Sequence, residues 1–408
     1  MSVMRPEVVI SRPCVRRMPG GRVAVSCRVE TGMKGLPENL FFSVDEVFAD
    51  FLVDERADAF LVGLIPLIMQ AGGRVRCEAP VSKRLLHNLR YRLSNIMREF
   101  KEVRWGALEV EAPADDTCFS GGHVGTGCSC GVDSSATVAV YTGETVPRDM
   151  RVDTLAFFNV GSHGDFRHYT EVERARCEEL YRARRARAQA FADTAGLPLF
   201  TVESNIYEFG AGLLHVAVDS FRNAAAVLAL GKYFSTYHCA SSVKATEFEF
   251  TLHNIASCDC YLLEALSTES TRLLSALSAY DRYERGKLLA DYGPARKFLD
   301  VCSARVGNCT DCPKCLRTMF QFEMDGILDR FSEVFDVDWF RAHPRRVLRR
   351  LMDDDRHHAE FLTQMRAMRR TAWRLPYSYF TYRFWFAVGS FLEGCADLRR
   401  RLKRKMSA

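Results

Sequence analysis

The chain has 408 residues, 48% of them hydrophobic and 26% charged, with a formal net charge of +5. That is more chain than one core normally fills, so about two or three domains are expected. The composition excludes disordered and collagen-like classes, and so slight a charge gives no argument for nucleic acid as a partner.

The N-terminal run MSVMRPEVVISRPCVRR lacks the apolar core of a secretory signal. The longest apolar run, around Phe60 to Met69, contains Pro66 and is too short to span a bilayer. A cytoplasmic location is therefore expected, and the 15 cysteines read as metal ligands, reactive thiols and core residues rather than disulfides. Residues 1–112 read as an α+β unit. It has strands at 22–30, 38–44, 74–79 and 105–111, and helices at 55–73 and 82–100, the latter opened by Ser82. Nothing in it converges chemically, so it reads as packing or a platform.

From residue 113 strands alternate with helices: a helix from about Asp133, a strand at 154–161, a helix at 172–196, a strand at 197–204 and a helix at 221–234. This alternation predicts a doubly wound, Rossmann-like α/β domain over 113–325, with a parallel sheet. Its ligand site is expected beyond the carboxyl ends of the strands, where strand order reverses. Residues 326–408 read as a helical, basic and aromatic region. In 371–408 the aromatics from Tyr377 to Phe391 are interrupted by Arg383 and Gly389, and basic clusters follow at Arg399–Arg401 and Lys403–Lys405. Aromatics beside a basic cluster also suit a membrane surface or nucleic acid, but the charge spacing favours a core-facing amphipathic helix with a solvated basic end.

The stretch GTGCSCGVDSSATVAVY (125–141) sets a tight, small-residue turn directly before a helix start. The first N–H groups of a helix have no internal acceptor and the dipole favours negative charge there, so such a turn collects anions. Ser129, Cys130, Gly131, Val132, Asp133, Ser134 and Ser135 are the candidate phosphate-binding residues. Asp133 can hold a magnesium ion or fix the loop. Asn159 and Gly161, and likewise Asn205, end strands where a ribose or adenine should lie. Arg222 can pair with a phosphate or a carboxylate, and Arg282, Arg285 and Lys287 can add phosphate-binding charge. His163, His168, His215 and His253 stand alone and read as capped or solvated side chains rather than metal ligands.

Cys302, Cys309, Cys312 and Cys315 form C-x6-C-x2-C-x2-C. Four thiolates at this spacing suit one tetrahedral ion, zinc before an iron–sulfur cluster, with Lys314 and Arg317 nearby to offset their charge.

Ser129-Cys130-Gly131-Val132-Asp133-Ser134 resembles the SGGxDS loop of the PP-loop ATP pyrophosphatases, with Cys130 in place of a glycine. That loop followed by a four-cysteine site is similar to the 7-cyano-7-deazaguanine synthases of queuosine biosynthesis. Phe221-Arg222-Asn223 looks like their RN motif, and Cys258-Asp259-Cys260 lies where they carry a substrate-proximal Asp-Cys pair. The similarity spans about 120–318, is poor over 241–300, and leaves out the N-terminal unit and the tail. It implies an ATP-, Mg2+- and Zn2+-dependent synthase in which a small-molecule carboxylate attacks the ATP α-phosphate. Pyrophosphate leaves, and ammonia or another nucleophile then displaces AMP. Asp133, Ser134, Arg222 and Lys287 would be catalytic. Replacing Asp133 or Ser134 by alanine is expected to abolish turnover with the fold intact.

Two rivals stand beside it. One is sulfur transfer or tRNA modification through Cys128, Cys130 or Cys260, with the helix start lowering a thiol pKa. The other is a non-catalytic nucleotide-binding protein. The partners expected are ATP and a small carboxylate, with a homodimer left open and nucleic acid not favoured.

Overall fold

A computed structural model describes residues 7–354 apart from 101, 104, 120, 164–169, 211 and 304. The expectations for His168 and for the aromatic and basic run at 371–408 lie outside the described residues. The chain divides into two units, Met1–Asn308 and Cys309–Ala408.

The first unit is mixed α/β, and its strands follow one another as β1 (Glu7–Ile10), β2 (Cys14–Met18), β3 (Arg22–Glu30), β4 (Asn39–Asp45), β5 (Arg74–Cys77), β6 (Val81–Ser82), β7 (Glu109–Glu111) and β8 (Ala114–Asp115). Then come β9 (His123–Gly127), β10 (Thr154–Asn159), β11 (Leu199–Ser204), β12 (Phe234–Ala240) and β13 (Arg272–Ala276). The large sheet runs β13-β12-β9-β10-β11-β4-β3-β1-β5-β7, with β2 paired to β3. From β13 to β11 every pairing is parallel. β4 joins β11 antiparallel, so β1 to β5 and β7 continue the same sheet, while β6 pairs with β8 in a separate two-stranded sheet.

Among the parallel strands β9 is first in sequence but central in space. The chain winds outward one way through β10 and β11, then returns to the other side through β12 and β13. This order is compatible with a Rossmann-like sheet, and strand order reverses between β9 and β12.

The helices of this unit are α1 (Asp58–Gln70), α2 (Lys83–Asn88), α3 (Val132–Tyr141), α4 (Glu171–Ala195), α5 (Asp219–Leu228), α6 (Asp259–Ala265), α7 (Arg282–Lys287) and α8 (Gly293–Phe298). α1 is buried from Asp58 to Met69, as an all-round apolar helix must be. α4 opens on a reciprocal cap between Thr170 and Glu173 and closes on Gly196 in the left-handed region, the residue type that region favours.

The second unit has α9 (Pro313–Met324), α10 (Val337–Ala342) and α11 (Pro344–Asp354). Phe322 and Phe331 stack at 4.4 Å in its interior, and Arg341 bridges Glu323 and Asp329 at its surface. No helix among the described residues is long and apolar enough to cross a membrane.

Candidate functional site

β9 ends at Gly127 and α3 begins at Val132, so residues 128–131 form the turn at the carboxyl edge of the central strand. Cys130 takes φ 58°, a left-handed conformation that favours glycine, and is 2% exposed. A thiol thus stands on a backbone bent as glycine would bend it. Gly131, the N-cap of α3, makes no side-chain cap, which leaves the first turn to a ligand or solvent. Ser134 Oγ lies 3.0 Å from Ser129 Oγ and donates to the Gly131 carbonyl, so the two hydroxyls brace the turn from inside. Ser135 Oγ is buried with no hydrogen-bond partner among the described residues.

Asp133 is committed to the protein. Arg285 Nη1 donates to its Oδ1 and Arg282 Nη1 to its Oδ2 at 3.1 Å. Arg285 is 1% exposed and also donates to the carbonyls of Ser241 and Tyr280. One buried guanidinium therefore ties α3, the end of β12 and the approach to α7 together. Of the two roles open to Asp133, these bonds favour fixing the loop. They also alter the expectation that alanine there leaves the fold intact, because Arg285 would keep a buried charge without its carboxylate. Lys287 is exposed and lies over the Tyr283 ring at 4.6 Å.

Arg222 is 3% exposed, with Nη1 3.2 Å from His215 Nδ1 and Nη2 donating to the Tyr207 carbonyl at 3.5 Å. Gly161, at φ 109°, lies so close that a Cβ there would meet Arg222 Nη1 at 2.7 Å. Arg222 and Gly161 are thus neighbours beyond the end of β10. Asn159 Oδ1 is buried with no partner among the described residues, an acceptor that fits a donor from a ligand. Asn205 differs: its amide accepts from Phe41 N at 3.1 Å and donates to the Asn39 carbonyl at 2.9 Å, holding β4 to the sheet. His163 is pushed down to about 4 by burial and by Arg184, so it is neutral. His253 is exposed beside Glu102.

A feature only half visible in the sequence is a pair of acids. Asp219 and Asp259, at the starts of α5 and α6, are both pushed up to about 7, chiefly by burial, and Asp219 also by the charge of Asp259. Ser220 Oγ donates to Asp259 Oδ1 at 2.6 Å, which works the other way. Both lie above their ordinary value of 3.8, so between about pH 4 and pH 7 the folded chain binds more protons than the unfolded one. The stability they contribute is present at low pH and is lost as pH rises through about 7. We expect the melting temperature to fall from about pH 5 to pH 8, and Asp259→Asn to flatten that slope and stabilise at pH 8 by on the order of 1–2 kcal/mol. A thermal melt series across pH checks this; an unaltered slope in the variant would contradict it.

The cysteine cluster forms as the spacing predicts. The sulfurs of Cys302, Cys309, Cys312 and Cys315 all lie within 4.8 Å of one another. Four sulfurs about 2.3 Å from one ion sit roughly 3.8 Å apart, so the set can hold a metal ion such as zinc. The backbone N–H of Cys312 donates to Cys309 Sγ at 3.2 Å and that of Cys315 to Cys312 Sγ at 3.5 Å. Thr310 turns left-handed at φ 63° between them. Cys302 and Cys315 are buried. Burial and the neighbouring Cys312 and Cys309 sulfurs push the Cys315 thiol up.

Cys128 is also pushed up, first by its hydrogen bond with Cys130 and then by burial. This reverses the expectation that the helix start lowers its pKa. Cys260 is exposed, and burial moves its thiol in the same upward direction. No protein-family model, curated protein or solved structure matches the chain.

Proposed function

We propose that the chain is a PP-loop enzyme that adenylates a small-molecule carboxylate with ATP, releases pyrophosphate, and lets ammonia or another nucleophile displace AMP. The observation that carries this reading is the turn at 128–131. It lies at the carboxyl end of the central strand, beside the reversal of strand order, and opens onto an uncapped helix start with Arg282 and Arg285 at its flank.

Charge gathers on pyrophosphate as it leaves. Fixed N–H groups and the Arg282 guanidinium, beside a turn that the Ser134 hydroxyl braces, would stabilise that state more than bound ATP, which is what lowers a barrier. Asp133, already held by two arginines, would fix the loop, and magnesium would be held chiefly by the ATP phosphates, whose charge it would offset. Asn159, at the end of β10, would receive a donor from adenine or ribose. Arg222 would orient the acid's carboxylate, and Lys287 would serve the phosphates from the solvent side. Zinc in the four-cysteine site is structural, since four protein ligands leave no open position.

Sulfur transfer fits less well. Cys128 and Cys130 are each 2% exposed, and Cys128 is poorer, not better, as a thiolate. Exchange of labelled pyrophosphate into ATP separates the readings. Adenylation gives exchange that depends on an added carboxylic acid and not on RNA. Exchange that needs RNA, or none with a broad panel of acids, overturns the proposal.

A further inference from the structure

The turn at 128–131 and the first cysteine of the metal cluster are held by one residue. The backbone N–H of Asp300 donates to the Cys130 carbonyl at 2.8 Å. Its carboxylate accepts from the backbone N–H groups of Cys302 at 3.2 Å and Gly307 at 2.8 Å, and faces Arg187 Nε at 3.8 Å. The Asp300 side chain is 6% exposed, so water does not compete for these bonds. Around it, Arg187 donates to the carbonyls of Phe298 and Leu299, and Arg184 to those of Cys302 and Ser303. Asn308 closes the segment by accepting from Val301 N and donating to the Leu299 carbonyl.

This has a consequence for the turn. A trans peptide points its C=O and N–H in opposite directions. Anchoring the Cys130 carbonyl on Asp300 therefore aims the Gly131 N–H the other way, toward Ser129 Oγ on the turn. The direction of that donor depends on where Asp300 stands, and Asp300 stands where Cys302 and Gly307 hold it.

We propose that Asp300 is a positioning residue that links metal occupancy of the four-cysteine site to the anion-binding turn, so that metal and nucleotide each strengthen the other's binding. The proposal rests on the nucleotide reading given above. With metal bound, Cys302 is pinned and its N–H holds the Asp300 carboxylate; the Asp300 N–H in turn holds Cys130. Without metal, Cys302 loses that pin and the Gly131 N–H loses its fixed aim. Coupling between two sites is reciprocal, so one factor must appear in both affinities, and about tenfold is an ordinary size.

The test uses the full chain and a non-hydrolysable ATP analogue. Calorimetry gives the analogue's affinity for zinc-loaded and chelator-stripped protein, and competition with a chelator gives zinc affinity with and without the analogue. We expect a loss of about tenfold on stripping and the same factor in zinc affinity. Asp300→Ala should keep its zinc, bind the analogue as weakly as the stripped wild type, and show a factor near one. Equal analogue affinity with and without zinc, or a full-sized factor in Asp300→Ala, overturns the proposal. Should stripping unfold the protein, zinc-loaded wild type and Asp300→Ala are compared alone, and equal affinities overturn it. Zinc-loaded wild type that binds no analogue overturns the nucleotide reading itself and this proposal with it.

Discussion

Purified protein is expected to carry about one zinc ion per chain, and Cys309→Ser or Cys312→Ser to cost roughly 3 kcal/mol of stability or more. Four sulfurs within 4.8 Å of one another, two of them buried, form a closed donor set. The free energy of closing it on an ion is folding free energy, because the unfolded chain offers no preformed site. The backbone donors to Cys309 and Cys312 Sγ stabilise negative sulfur, which a serine oxygen at the same place does not reproduce. Elemental analysis and thermal melts with and without a chelator check this. Iron with acid-labile sulfide, or a metal-free protein as stable as the loaded one, rejects it.

The parts of the molecule that were legible in the sequence are those where one local pattern decides the structure. Thr170, Glu173 and Gly196 bound α4, so the predicted helix at 172–196 and the observed Glu171–Ala195 differ by one residue at each end. The cysteine spacing and the small residues of the turn were legible for the same reason.

Other elements were hidden by packing. The helix expected at 82–100 is α2, then a π-helical turn at Leu89–Leu93, then a 3-10 turn at Ile96–Glu99. Its buried residues Leu85, Leu89, Leu93 and Met97 are spaced by four, each at most 1% exposed. On a helix of 3.6 residues per turn, that row drifts by about 40° per step, and a wider turn restores it to the core. The helix expected at 221–234 is α5, which ends at Leu228, and β12 was not expected after it because Thr236 and His238 break its apolar run. Both are buried, and His238 Nε2 meets the Met150 carbonyl at 2.8 Å. Asp219 escaped because its partner Asp259 comes from another helix, and Asp300 because backbone carbonyls carry no motif.

The largest effect on chemistry is expected at Asp133 and Ser134, and the two positions should fail differently. Among the described residues, the Ser134 hydroxyl bonds to Ser129 Oγ and the Gly131 carbonyl. Ser134→Ala should therefore keep the overall fold and lose about 100-fold in acid-dependent pyrophosphate exchange, the usual cost of one preorganised donor, because the turn's N–H groups lose the brace that aims them. Asp133→Ala should lose exchange and stability together. Breaking a buried pair from one side costs about 3–5 kcal/mol, and Arg285 is 1% exposed. Adding Arg285→Met to Asp133→Ala removes the stranded charge, so the double variant should regain much of the stability and none of the exchange. The rescue separates loop chemistry from loop folding, because only the latter depends on charge balance inside the protein. Melting curves and exchange rates for the four proteins of this cycle decide it. Exchange at the wild-type rate in Ser134→Ala, or restored by Arg285→Met, would remove the turn from the chemistry.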